Sequence, residues 1–139
     1  MTRRARSLRS EDGQALVEFA LVVPVLLLLI VGLVEFARAW NTQQVLTDAA
    51  REALRSSVVA NQSFTYAGMQ GVIDQALVRA SLDPARATVS MNGFRAGTGT
   101  SAQIRIDYDY EFGFFGPLID WATGDRSLAL TTSFVMRNE

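Results

Sequence analysis

From Phe19 to Val34, sixteen consecutive residues carry neither a charge nor a polar side chain. As a helix the run is about 24 Å long at roughly 1.5 Å per residue, and about 20 apolar residues are needed to cross a hydrocarbon core near 30 Å thick. Extending the run to Leu16 and Phe36 reaches that thickness, with Glu18 and Glu35 placed near the two interfaces. It is longer than the roughly 7–15 apolar residues of a secretory signal, and it reads as a membrane-spanning helix. Ala37-Arg38-Ala39 has the small-residue spacing of a signal-peptidase site before Trp40, but Glu35 and Arg38 crowd it. Arg3, Arg4, Arg6 and Arg9 precede the span, whereas only Arg38 lies shortly after it. The positive-inside rule therefore places residues 1–13 in the cytoplasm as a basic leader and residues 40–139 outside.

Composition narrows the chemistry. The 139 residues suffice for one small domain plus an anchor. With neither Cys nor His, the chain can form no disulfide, thiolate metal site or Ser–His–Asp triad. All 13 basic residues are Arg, so Schiff-base and P-loop lysine chemistry are absent too. A net charge of −1 argues against a nucleic-acid partner. The expectation is a protein that is not an enzyme, with no cofactor and no metal.

Two residues interrupt the apolar pattern in ways that need explaining. Pro24 has no N–H to donate to the carbonyl of Ala20, and it is expected to kink or loosen the helix, either as a simple kink or as a hinge. Glu18 lies inside the apolar segment, where a carboxylate costs about 2.5–3.5 kcal/mol at mid-membrane and less near an interface. It either marks the cytoplasmic boundary or needs a partner. Glu35 reads more plainly as one half of an exposed i,i+3 ion pair with Arg38.

Gly13 followed by Gln14-Ala15-Leu16-Val17-Glu18-Phe19 resembles the class IV prepilin processing site: a glycine, four residues, then glutamate and an aromatic. With Pro24, Glu35-Phe36-Ala37-Arg38 and Asp48-Ala49-Ala50-Arg51-Glu52-Ala53, residues 11–58 look like the TadE-like family, minor pseudopilins of the tight-adherence (Flp) pilus system. The resemblance implies that a prepilin peptidase cuts between Gly13 and Gln14. Cutting there would remove four arginines with Glu11 and Asp12, a net +2, and leave a mature chain of −3. It also implies that Glu18 pairs with the N-terminal amine of a neighbouring subunit during assembly, although an N-terminal Gln can cyclise and lose that charge. The partners implied are the peptidase, other pilin or pseudopilin subunits, the inner-membrane assembly platform and membrane lipid.

Past the membrane, Phe36, Trp40, Ala50, Ala53, Leu54 and Ser57/Val58 continue an apolar stripe at helical spacing, with Trp40 at the interface. The transmembrane and stalk helix is placed at 14–60 and the head at 61–139. Asn61-Gln62-Ser63 breaks the stripe, and Ser63 or Thr65 can cap a second helix. That helix carries Met69, Val72, Ile73, Ala76, Leu77 and Ala80 on one face and ends at Asp83-Pro84. Three strands follow: Ala87–Met91; an alternating strand with Ile104, Ile106, Tyr108, Tyr110 and Phe112 inward; and a last one with Leu128, Leu130, Thr132, Phe134 and Met136 on one face. Residues 92–99 read as a flexible glycine-containing connection. Asp107, Asp109 and Glu111 share a strand face and could suit calcium, though such a row is usually a solvated face. Residues 112–121 read as irregular and aromatic, either filling the edge of the core or forming an interaction patch.

The predicted fold class is α+β: a long N-terminal transmembrane and stalk helix, then a small pilin-like domain with one further helix packed on a roughly three-stranded antiparallel sheet. The functional expectation is a single-pass inner-membrane pseudopilin for a Flp-type pilus, cut after Gly13. The alternative is an unprocessed single-pass protein whose outer domain binds an envelope partner or ligand.

Overall fold

The computed structural model describes residues 5–59, 65–93 and 99–137. Helix α1 runs unbroken from Ala5 to Val59, passing through Pro24. It begins within the basic leader and is rich in Leu and Ala, good helix formers. Helix α2 (Tyr66–Arg79) starts at Thr65, whose hydroxyl accepts the Gly68 N–H at 3.2 Å, the N-cap that the sequence offered there. The alternative cap, Ser63, and the break at 61–63 lie outside the described residues.

A single turn at Pro84–Arg86, capped by Asp83, leads into β1 (Ala87–Asn92). Strand β2 (Ser101–Glu111) is central and pairs antiparallel with both β1 and β3 (Ser127–Arg137). Of the connection read at 92–99, residues 94–98 lie outside the described set. Gly93 and Gly99 flank them with φ of +72° and +88°, a left-handed backbone that favours glycine. Between β2 and β3 lies a short helix, α3 (Gly116–Thr123), within the segment read as irregular.

The core forms where the C-terminal half of α1 and helix α2 cover one sheet face. Ile104, Ile106 and Ala102 of β2 are buried against Leu46, Ala50, Ala53 and Leu54 of α1 and Ile73 and Leu77 of α2. The alternation in β2 makes this possible, because side chains of period two send one set inward and leave Gln103, Arg105, Asp109 and Glu111 outward. Polar ties complete the join. Gln43 Nε2 donates to the Thr131 carbonyl at 3.0 Å, Thr47 and Thr132 share a hydroxyl contact at 3.2 Å, and the Tyr66 hydroxyl donates to the Val89 carbonyl at 3.0 Å.

The packing stripe of α1 differs from the one the sequence suggested near the membrane. Phe36 and Trp40 are exposed and stack on each other at 6.3 Å, while Glu35, Thr42, Leu46 and Ala49 face inward. The aromatic pair belongs to the surface that a bilayer boundary would cover, and the head packs on the neighbouring face.

Candidate functional site

The residues singled out for processing and assembly all lie on one exposed stretch of helix. Gly13, Gln14, Glu18 and Phe19 are exposed, and a Cβ built at Gly13 would meet nothing within 4 Å. Glycine is the weakest helix former after proline, so Gly13 lowers the local cost of unwinding by about 1 kcal/mol relative to alanine. From Leu16 to Val34 the apolar side chains stand outward, and residues 13–57 contain a window long and apolar enough to cross a membrane. Pro24 lies within this exposed stretch and leaves the Ala20 carbonyl without its usual amide partner four residues on.

At the C-terminal end of that stretch the structure assembles a site that the sequence reading missed. The Glu35 side chain is only 3% exposed. Its carboxylate accepts the backbone N–H of Gly113 at 3.1 Å on one oxygen and that of Phe114 at 3.0 Å on the other. Arg38 approaches the same carboxylate at 3.6 Å from a solvent-facing position. The expected ion pair is therefore present, but Glu35 is not an exposed surface residue. Two successive backbone N–H groups make a small anion-binding concavity, and Glu35 fills it.

The clamp fixes the loop that enters α3. A Cβ at Gly113 would come within 3.3 Å of the Glu35 carboxylate, so this loop position leaves little room for a side chain. Phe115 reaches across to Gly32, where a Cβ would meet its ring at 3.8 Å. Burial in the same neighbourhood raises the Tyr110 hydroxyl pKa, and the negative charge of Glu35 adds to the effect. An open, mostly apolar groove of about 620 Å³ lies between α1, α3 and β3, bordered by Gly32, Phe36, Phe115, Ile119 and Leu128.

Residues 112–121 thus divide their roles. Phe112 packs against the core and meets Tyr110 edge-on at 5.3 Å. Phe114, Leu118 and Trp121 are exposed, the last at 83%. Helix α3 could have been recognised from Pro117 in its first turn and Gly124 just past its end, the usual asymmetry of helix termini. Gly124 adopts the left-handed conformation (φ 77°) that closes such a helix.

The acidic row on β2 has local partners. Asp107 is gripped by the Arg105 guanidinium at 2.9–3.1 Å and by the Thr131 hydroxyl, which together hold its carboxyl below the usual range. Glu111 pairs with Arg86 at 2.8 Å. Among the described residues no group of three or more acidic side chains is arranged to hold a metal ion.

The order of features along α1, from Gly13 through Glu18 and the exposed span to the buried alanines at 49, 50 and 53, coincides with a known pattern. The family model described as TadE-like protein matches residues 13–55. Over that segment the chain is similar to TadE-like proteins. The matched segment begins at Gly13 and ends within the core face of α1, and its long apolar helix is compatible with a single-pass membrane anchor. No curated protein and no solved structure matches the chain.

Proposed function

We propose that this TadE-like protein is a minor pseudopilin: a non-enzymatic subunit held in the cytoplasmic membrane by α1, cut between Gly13 and Gln14 by a prepilin peptidase, and assembled with other pilin or pseudopilin subunits. The observation that carries the reading is the coincidence of the family match at residues 13–55 with an exposed apolar helix that opens on Gly13, Glu18 and Phe19. A carboxylate at position 18 is expensive in lipid unless a cation meets it, and cleavage would create an amine at Gln14, one helical turn from Glu18 in the same chain, that could meet the Glu18 of a neighbouring subunit. The head presents no catalytic constellation in its sequence, which supports a structural role.

The N-terminal residue of the protein isolated from native membranes tests this reading. Gln14 is expected at the terminus, and Gly13→Leu is expected to accumulate the full-length form. An intact Met1 in the wild-type protein would favour the unprocessed membrane protein, and Trp40 would mean release by signal peptidase.

A further inference from the structure

We propose that α3 and the loop before it form a second membrane contact: an interfacial foot that seats Phe114, Leu118 and Trp121 in the outer leaflet beside the span. The inference rests on α1 being a membrane anchor, as read above.

The placement follows from distance along α1. With Glu18 at the cytoplasmic boundary, Gly32 lies about 21 Å and Glu35 about 26 Å further along the axis at roughly 1.5 Å per residue, within a hydrocarbon core near 30 Å thick. The loop entering α3 is fixed at this level. Glu35 holds the Gly113 and Phe114 amides, and Phe115 lies against Gly32. The head therefore cannot stand clear of the bilayer surface on this side while the clamp is closed.

The outward chemistry fits lipid. Leu118 and Trp121, three residues apart on α3, share one face of the helix, Phe114 stands in the turn just before it, and each of the three is more than half exposed. Phe115 and Ile119 lie on the other side and border the groove toward α1. A group of Phe, Leu and Trp is what an interfacial helix buries, with Trp favoured at headgroup level. The clamp also answers the main objection to non-helical backbone at this depth. Unpaired N–H groups near hydrocarbon cost several kcal/mol each, and the two amides here are bonded to Glu35. The competing occupant is the surface of another protein. Lipid is favoured because the clamp holds this loop level with Gly32 and Glu35, within the length of α1 that the span occupies.

The test uses the full chain in phosphatidylcholine–phosphatidylglycerol vesicles, some containing lipids brominated near the headgroup end of the acyl chains. The two tryptophans are separated by Trp40→Phe, which leaves Trp121, and Trp121→Phe, which leaves Trp40. Trp121 emission is expected to be blue-shifted and quenched by the brominated lipid to an extent comparable with Trp40. A spin label on Leu118→Cys, the only thiol in that variant, is expected to be accessible to oxygen and shielded from a water-soluble nickel complex. The same label on Thr88→Cys, on the outer sheet face, should show the reverse. A water-like, unquenched Trp121 beside a quenched Trp40 overturns the foot and leaves the anchor intact. Shielding of Trp121 that arises only on adding pilus-fraction proteins overturns it in favour of a protein partner. If neither tryptophan is quenched, the anchor reading fails and the foot fails with it.

Discussion

The Glu35 carboxylate accepts the backbone N–H of Phe114 at 3.0 Å across 79 positions of sequence, and the adjacent Gly113 N–H at 3.1 Å. One side chain on the span-proximal helix thereby fixes the conformation of the loop that launches α3. Removing it leaves two amides without this partner in a part-buried site, at about 1–3 kcal/mol for each donor that finds no water. Glu35→Ala is expected to destabilise the head by about 2 kcal/mol, with the larger part of the effect local to 112–124. Amide exchange in detergent micelles checks this, since residues 113–121 should lose protection well before β2. Arg38→Ala should cost under about 1 kcal/mol, because the arginine is exposed and its pairing screened.

Gly93 makes an independent check on the backbone. Its φ of +72° is left-handed, and an added Cβ would fall 2.1 Å from the Ser101 carbonyl oxygen. Gly93→Ala is expected to cost about 1–2 kcal/mol from conformation alone and more from the clash. Gly71→Ala meets nothing within 4 Å inside α2 and should instead stabilise by about 0.5–1 kcal/mol. Opposite shifts in the urea midpoint would distinguish the two.

Acid sensitivity should arise on the outer sheet face. The Arg105 guanidinium, then the Thr131 hydroxyl, lower the Asp107 pKa, and the Ser127 N–H and hydroxyl lower that of Asp125. A carboxyl with a folded pKa below its unfolded value adds stability that is fully present above the unfolded value, near 3.9, and is lost as pH falls through the folded one. Stability should therefore decline below about pH 4. Asp107→Asn is expected to flatten that decline, read from unfolding midpoints across an acid series, while lowering stability slightly at neutral pH.

These expectations draw on features that were unequally visible in the sequence. The inward set of β2, from Ile104 to Tyr110, and the α2 stripe of Met69, Ile73 and Leu77 follow from local periodicity, and both are buried as expected. Thr65 announced its cap for the same reason. Glu35 did not announce its role, because its partners are main-chain amides 78 and 79 residues away, and an amide has no residue-type signature. With Arg38 three residues on, the local pair was the only interaction that spacing could reveal. Helix α3 was hidden by its length of eight residues, too short for a periodicity to build, although Pro117 and Gly124 mark its ends. The stripe of α1 was misassigned at Phe36 and Trp40 because a helix leaving a membrane is apolar on more than one side. Periodicity cannot say which side meets the head.

Packing between the C-terminal half of α1 and the head joins the two into one core. Leu46 is fully buried where α1 meets the sheet and α2. Leu46→Ala should cost about 2–5 kcal/mol, the range for deleting a buried leucine side chain beyond Cβ. Thermal unfolding should then show the head melting well below the wild type, with α1 still helical in lipid, because an apolar span keeps its own backbone bonds there.

Glu18 is the residue on which structural role and membrane cost meet. It is exposed in a single chain, surrounded along the helix by Leu16, Val17 and Phe19. In lipid its charge is tolerated near the interface, but moving it toward the centre costs about 2.5–3.5 kcal/mol. A neighbouring N-terminal amine would offset that cost and select the axial offset between adjacent helices. Glu18→Ala removes both the cost and the selection. Membrane insertion should be unimpaired or improved and cleavage after Gly13 retained, while the amount recovered with the pilus fraction falls at least about tenfold, equivalent to about 1.4 kcal/mol of lost pairing. Glu18→Gln keeps the shape without the charge and should fail similarly. Normal recovery of both variants with the pilus fraction would show that Glu18 marks only the membrane boundary.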